Sequence, residues 1–433
     1  MKQRIVDFTK QHMNKLFLMK ISATQVIVSF LTNILILRSI GLGGDLDVFY
    51  IGMSVFAFLY TSINWSISSI LAPYLIDQRG NGKEGALFVT VAIMVLPIAA
   101  IVYLTMPFWV DYLYVNYLDT VDRSKIIAVQ GMLIAAYIVD GFILVYTGML
   151  QEKNKYITFN ASMLAASIIG FIFVYLTLDD LGVYAAALNQ LLMKTVILLI
   201  MCFMFLPHIL KTISFDKEQF RLIFSRTKYL LLGSLYFRTD EVVERYIASY
   251  LAGGFVSLVG FIQRVYGAII TVLNSAIGVP AITVFGDLIS MQKFESARQN
   301  LMKYMAVVFL GNAFIFIILA LVGPKLFLFI MGDTLTAELE ELLYISILCL
   351  YMMVLGKTIA QVLQSLLMAM KKVGVSIFYD SLTYTINVAL KISLTVMYGV
   401  HGFLVAIVLS VVVMDGTKVY VALNELKKMS KNQ

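Results

Sequence analysis

The chain has 433 residues, of which 60% are apolar and 14% charged, with a mean hydropathy of +0.88 and a formal net charge of +7. A soluble domain is about a quarter charged, so composition excludes a water-soluble globular protein. The cysteines, Cys202 and Cys349, both fall in apolar stretches, which argues against a disulfide framework.

Apolar runs long enough to cross a hydrocarbon core predict twelve spans, near 16–40, 46–76, 86–108, 125–150, 156–178, 182–206, 229–250, 254–285, 300–322, 339–370, 374–396 and 401–424. The short alternating segments of a membrane barrel do not dominate. The charged N-terminal stretch runs directly into a full-length span, so no cleavable leader is expected. Gly41, Gly43 and Gly44 after the first span, and Gly253 and Gly254 after the seventh, predict tight outside turns. The longest outside connection holds Trp109, Tyr112, Tyr114 and Tyr117, read as an interfacial aromatic belt.

The sixth and seventh spans are joined by a basic segment from Pro207 to Lys228. Ile213, Phe215, Phe220, Leu222, Ile223 and Phe224 are mixed there with Lys217, Arg221 and Arg226. That mixture fits an amphipathic helix on the inner leaflet, and equally a solvated basic linker. The expected organisation is an N-terminal six-helix lobe over 1–206, a cytoplasmic linker over 207–228 and a C-terminal six-helix lobe over 229–433.

The odd-numbered connections carry Arg123, Lys125 and Lys325, with Arg38 at the margin, among a larger number of acids. The other side, with both termini, is basic: Arg79, Lys83, Lys153, Lys155, Lys217, Arg221, Arg226, Lys371, Lys372, Lys427 and Lys428 all fall there. The positive-inside rule then places both termini in the cytoplasm. The excess charge is a topology signal, and no nucleic-acid partner is expected.

The chain also repeats itself. Pro107 recurs as Pro324, Lys155 as Lys372 and Gly182-Val183 as Gly399-Val400, each 217 positions later, while Gly43-Gly44 recurs as Gly253-Gly254 at an offset of 210. Six spans return the chain to its starting side, so the halves form a parallel repeat, a common plan for carriers.

Little points to catalysis. The three histidines, His12, His208 and His401, are scattered, and no spacing suggests a metal. No connection is long enough to fold as a catalytic domain, whereas a membrane glycan polymerase or ligase is expected to carry a large outside loop. The chain is therefore expected not to be an enzyme and to need no cofactor. The sequons at Asn64 and Asn160 fall within spans and are read as chance matches.

Ionisable groups inside spans are costly and are functional candidates by default. The densest set, Arg238, Asp240, Glu241, Glu244 and Arg245, lies in the seventh span. At 100° per residue Arg238, Glu241 and Arg245 share one face and Glu241 and Arg245 can satisfy each other. The set is either an internally neutralised structural cluster or the wall of a hydrated cavity with a proton or cation site. Arg264, beside Gln263 in the eighth span, needs an acid on the preceding helix or an anionic substrate group, and its planar fork suits phosphate. The 217 offset maps Asp140 onto Lys357. Either each is neutralised within its own lobe by Asn, Gln or backbone groups, or the two form a cross-lobe pair that breaks during transport. Asp380, Lys391, Asp415 and Lys418 lie nearer span ends and read as snorkelling or local pairs.

Two stretches carry a resemblance. Arg38 to Tyr50 (RSIGLGGDLDVFY) resembles the first outside turn of MurJ-type lipid II flippases. Ile247 to Ser257 (IASYLAGGFVS), followed by Gln263-Arg264, resembles their seventh-to-eighth helix passage. Gly399-Val-His-Gly402 is similar to a turn of the wider MOP superfamily, which includes Wzx polysaccharide flippases and MATE drug exporters. The resemblance implies an all-α polytopic membrane protein, with twelve transmembrane helices as two parallel six-helix lobes in a V-shaped MATE/MOP-type fold. It implies movement of an undecaprenyl-pyrophosphate-linked oligosaccharide across a bacterial cytoplasmic membrane, with H+ or Na+ coupling, membrane lipids around it and a glycan polymerase as partner. By carry-over, Arg264 matches a cavity arginine and Asp47 an outside-turn aspartate. Substrate contacts are then expected from Arg264, Gln263, Arg238, Arg245 and Asn33, and coupling or gating from Asp47, Asp140, Asp240, Glu241, Glu244 and Lys357.

This chain departs from MurJ in two ways. Ile27, Asn33 and Tyr60 stand where cavity arginines are expected, and the predicted spans end at the twelfth. Both departures favour the Wzx type and a different glycan, with a MurJ-like lipid II flippase as the alternative. A MATE-type drug exporter ranks third, because no acid lies between Ile21 and Ile40.

Overall fold

A computed structural model describes residues 2–77, 84–153, 155–273, 277, 279–370 and 372–431. Arg79, Lys83 and Lys371 lie outside the described residues. Among those described there is helix and turn but no strand. The helices are α1 (Lys2–Ile40), α2 (Gly44–Leu59), α3 (Trp65–Asp77), α4 (Glu84–Leu104), α5 (Met106–Leu113), α6 (Arg123–Glu152), α7 (Tyr156–Leu181), α8 (Val183–Lys211), α9 (Lys217–Arg238), α10 (Asp240–Ala248), α11 (Phe255–Leu273), α12 (Val279–Ser290), α13 (Phe294–Met331), α14 (Ala337–Ala369) and α15 (Val373–Lys431).

Nine helical segments among the described residues are long and apolar enough to cross a membrane. One of them, in α15, folds back on itself. Gly399 sits inside it at φ 57° and ψ −135°. Asp380 and Lys418 would be about 57 Å apart on one straight helix, yet their charged atoms are 2.9 Å apart. α15 is thus two antiparallel arms. The expected seventh crossing is divided between α9 and α10, and the expected eighth between α11, which holds a shorter apolar stretch, and α12. The protein is a helical multi-pass membrane protein.

The chain forms two compact units, Met1–Arg238 and Thr239–Gln433. In the first, α6 packs against α8, α7 against α1 and α8, and α4 against α6. Ile126, Val129, Leu133 and Tyr137 make a buried stripe on α6 at helical spacing. The segment after Pro207 is not a separate linker helix, since α8 continues through Lys211 and α9 begins at Lys217. Gln219, Ile223 and Thr227 are buried at four-residue spacing, and α9 packs on α3 and α4, leaving Phe215, Leu222 and Phe224 exposed. Gly85 takes part in this join. A Cβ there would sit 2.3 Å from the Thr212 carbonyl carbon, and its N–H donates to Thr212 Oγ1 at 2.9 Å.

The turn after α1 is built around buried groups. Lys125 pairs with Asp45 at 2.8 Å, and Tyr117 Oη donates to Asp47 Oδ2 at 3.0 Å. Tyr114 and Tyr117 are buried, so only Tyr112 among these tyrosines stands well exposed. The aromatic-belt reading therefore fails for Tyr114 and Tyr117, which are recruited to satisfy α2 instead. Arg123 grips Asp111 through Nε at 2.8 Å and Nη2 at 3.2 Å, and this hydrogen bonding holds the Asp111 carboxyl below its ordinary range.

In the second unit α14 is the hub, packed by α11, α12, α13 and α15. Phe285, Leu301, Val362, Leu363 and Leu366 form its apolar core. Polar ties elsewhere on α14 join it to its neighbours: Tyr351 Oη donates to Asn312 Oδ1 at 3.0 Å, and Tyr266 Oη to Ile347 O at 2.6 Å.

Candidate functional site

The seventh crossing breaks at Thr239, where ψ is −5° and the hydroxyl lies 2.6 Å from Tyr384 Oη. The expected common face of Arg238 with Glu241 and Arg245 spans this interruption, which is also the boundary between the two units. Arg238 closes α9 in the first unit, against the ring of Phe237. Asp240 opens α10.

On α10, Asp240 and Glu244 are one turn apart and share a face. Both point at Lys391 on the first arm of α15. Lys391 Nζ lies 2.8 Å from Asp240 Oδ1 and 3.3 Å from Glu244 Oε2, and Asn387 Nδ2 donates to Asp240 Oδ1 at 3.1 Å. Lys391 is 2% exposed. It is not a snorkelling residue: its ammonium is the internal counter-ion of two carboxylates, which offsets the cost of burying them. A span-end position did not put its head at an interface, because α10 brings acids to it.

The network continues onto α11. Gln263 Nε2 donates to Glu244 Oε1 at 2.6 Å, while Gln263 Oε1 accepts from Arg245, which is buried and also reaches Val256 O at 3.5 Å. Glu241 is exposed and lies within electrostatic reach of Arg245, Lys357, Glu244 and Arg264. Arg264 is half-buried and Lys357 exposed. The second unit thus gathers Asp240, Glu241, Glu244, Arg245, Gln263, Arg264 and Lys357, and adds Lys391 and Asn387. A cavity of about 170 Å³ is lined by Asp240, Glu244, Lys357, Asn387, Lys391 and Asp415, among others.

The remaining expected residues lie in the first unit. Asp140 accepts from Asn64 Nδ2 at 3.0 Å and is paired with Lys194 on α8. Asp140 is thus neutralised within its own lobe, by an asparagine and a lysine. A π-helical turn, Tyr60–Asn64, supplies both Asn64 and the Tyr60 ring, 5.5 Å from Lys194 Nζ. Such turns re-aim side chains inside long helices. Asn64, read from sequence as a chance sequon, is buried here. Asn33 is half-buried and donates to Ser29 O at 2.7 Å. Asp47 is fully buried at the start of α2. Among the described residues no group of His, Cys, Asp and Glu is arranged to hold a metal ion.

No protein-family model and no curated protein matches the chain. Solved structures do. One is the lipid II flippase MurJ in an inward closed conformation, at TM-score 0.71 and 14% identity over 96% of this chain and 90% of that one. Another is a multidrug resistance MATE family transporter of the MOP superfamily in an inward-facing conformation, at TM-score 0.72 and 17% identity over 95% and 99%. A MOP superfamily transporter from Pyrococcus furiosus gives TM-score 0.63 and 16% identity over 95% and 96%. Over nearly its whole length, then, this chain has the fold of the MurJ and MATE transporters of the MOP superfamily.

Proposed function

We propose that this protein is a transporter that moves an undecaprenyl-pyrophosphate-linked oligosaccharide, such as an O-antigen, capsule or exopolysaccharide repeat unit, between leaflets by alternating access. Its place would be a bacterial cytoplasmic membrane, with both termini inside. The observation that carries this reading is the pair of cations Arg264 and Lys357. Lys357 is exposed on a membrane-crossing helix and makes no ion pair among the described residues. A charged head in a span does not face hydrocarbon, so it faces a hydrated space. Arg264 and Lys357 share the neighbourhood of Glu241. A diphosphate headgroup is an anion that two neighbouring cations can bind together, and guanidinium binds phosphate in a forked geometry.

The likeness to a lipid II flippase supports lipid II as the second reading. The similarity to MATE transporters keeps drug export third. The discriminating experiment is to deplete the protein and identify the lipid-linked intermediate that accumulates on the inner leaflet. A complete polysaccharide repeat unit supports the proposal, lipid II supports the second reading, and neither product sinks both.

A further inference from the structure

Beside the Lys391 network, the cavity reaches a carboxylate that no ion pair holds. Asp415, on the second arm of α15, is 8% exposed and lines the cavity, yet has no hydrogen bond or ion pair among the described residues. On its own arm, Lys418 lies one turn along and is paired at 2.9 Å with Asp380 of the facing arm. On α10, Asp240 and Glu244 are held by Lys391. On α14, Lys357 lines the same cavity with an exposed side chain, and Gly356 makes the room for the carboxyl, since a Cβ there would come 2.6 Å from Asp415 Oδ2.

A buried, unpaired carboxylate is unfavourable, and such groups take up a proton instead. A hard metal cation would want about six oxygen ligands, and the described residues offer no such cluster. A proton needs one carboxyl oxygen and a wet path, which the cavity supplies. Residues three apart on a helix face each other, so Lys418 has two acids within its range.

We propose that Asp415 is an exchangeable-proton site that controls which acid holds Lys418. With Asp415 protonated, Lys418 stays with Asp380 and clamps the two arms of α15. When Asp415 releases its proton to cavity water, the new carboxylate draws Lys418 along its own arm and unfastens Asp380. Lys418 keeps its charge throughout. The coupling of this switch to substrate movement rests on the transport reading; the proton site does not.

The test is infrared difference spectroscopy of the full-length protein in lipid vesicles, following the protonated-carboxyl band through a pH titration. A band that disappears as pH rises, and is missing in Asp415→Asn, is expected. Asp380→Asn, which frees Lys418, should lower the proton affinity of Asp415 about tenfold or more, and Lys418→Met should raise it. A titrating band that survives Asp415→Asn, a midpoint unmoved by Asp380→Asn, or a band removed by sodium at fixed pH overturns the proposal. Should Asp415→Asn not fold, Asp415→Glu and Gly356→Ala must shift the midpoint, and an unshifted midpoint in both overturns it too. A titration as expected in a protein that moves no glycan would instead sink the transport reading and leave the proton site standing.

Discussion

Lys391 Nζ and Asp240 Oδ1, 2.8 Å apart, join the first arm of α15 to a helix that begins 151 positions earlier in the chain. The same ammonium serves Glu244. Removing one partner of a buried ion pair costs about 3–5 kcal/mol, because the other charge stays buried without compensation. Lys391→Met should therefore lower the thermal unfolding midpoint in detergent sharply, and Lys391→Arg much less. Adding Asp240→Asn and Glu244→Gln to Lys391→Met should recover most of the loss. A lone Lys391→Met that unfolds like the wild type would show that the network holds nothing together.

The Asp140–Lys194 pair sets a second expectation. Exchanging the two charges, Asp140→Lys with Lys194→Asp, should restore stability relative to Asp140→Lys alone. Exchanging Asp140 with Lys357 should not. The penalty for losing Lys194 should be smaller than for Lys391, since its side chain is 25% exposed against 2%. Recovery by the Asp140–Lys357 exchange would return the cross-lobe pair to consideration.

Both ion pairs show where sequence reading stopped. Spans, glycine turns and the duplication follow from local composition and period, so they are visible in one dimension. Lys194 and Lys391 find acids 54 and 151 positions away, and no local spacing encodes such a meeting. The break at Thr239 carries no Pro or Gly to announce it, and the π-helical turn at Tyr60–Asn64 leaves no mark in the apolar pattern. The charges of the seventh span were legible as a set; which of them face one another was not.

The chain reversals at Gly182 and Gly399 have matching geometry, with φ 53°, ψ −128° and φ 57°, ψ −135°. This region of backbone space is essentially restricted to glycine, and a side chain there costs about 1–3 kcal/mol. Gly182→Ala and Gly399→Ala should each destabilise by that order in a thermal or denaturant melt. Gly311→Ala is the control: that glycine is inside α13 with open space around its Cβ position, so alanine should be neutral or stabilising. Equal melts for all three variants would contradict the turn geometry.

At the outside turn, Tyr117→Phe removes the hydroxyl that Asp47 accepts from, while keeping the ring. A hydrogen bond to a charged group contributes about 1.5–3 kcal/mol, and Asp47 is fully buried. The variant should lose stability on that scale. If Asp47 instead serves coupling, Tyr117→Phe will leave the melt unchanged and alter transport alone.

The decisive functional prediction concerns Arg264 and Lys357. Should they bind a diphosphate headgroup, each charge-assisted contact contributes about 1.5–3 kcal/mol, or about 10- to 100-fold in affinity. Arg264→Ala should reduce export of the lipid-linked glycan by that order, and Arg264→Lys should rescue only part, because an ammonium lacks the forked geometry. Lys357→Ala should be milder, since it deletes a point charge, and the double variant should fall below either single one. Asp119→Ala, at an exposed position in the outside connection, controls for expression and insertion. Because Gln263 bonds both Glu244 and Arg245, a melt on each variant is needed to separate loss of the anion site from loss of the network beside it. Normal export by a stably folded Arg264→Ala protein would remove the arginine from the substrate path and, with it, the main physical reason for a pyrophosphate-linked cargo.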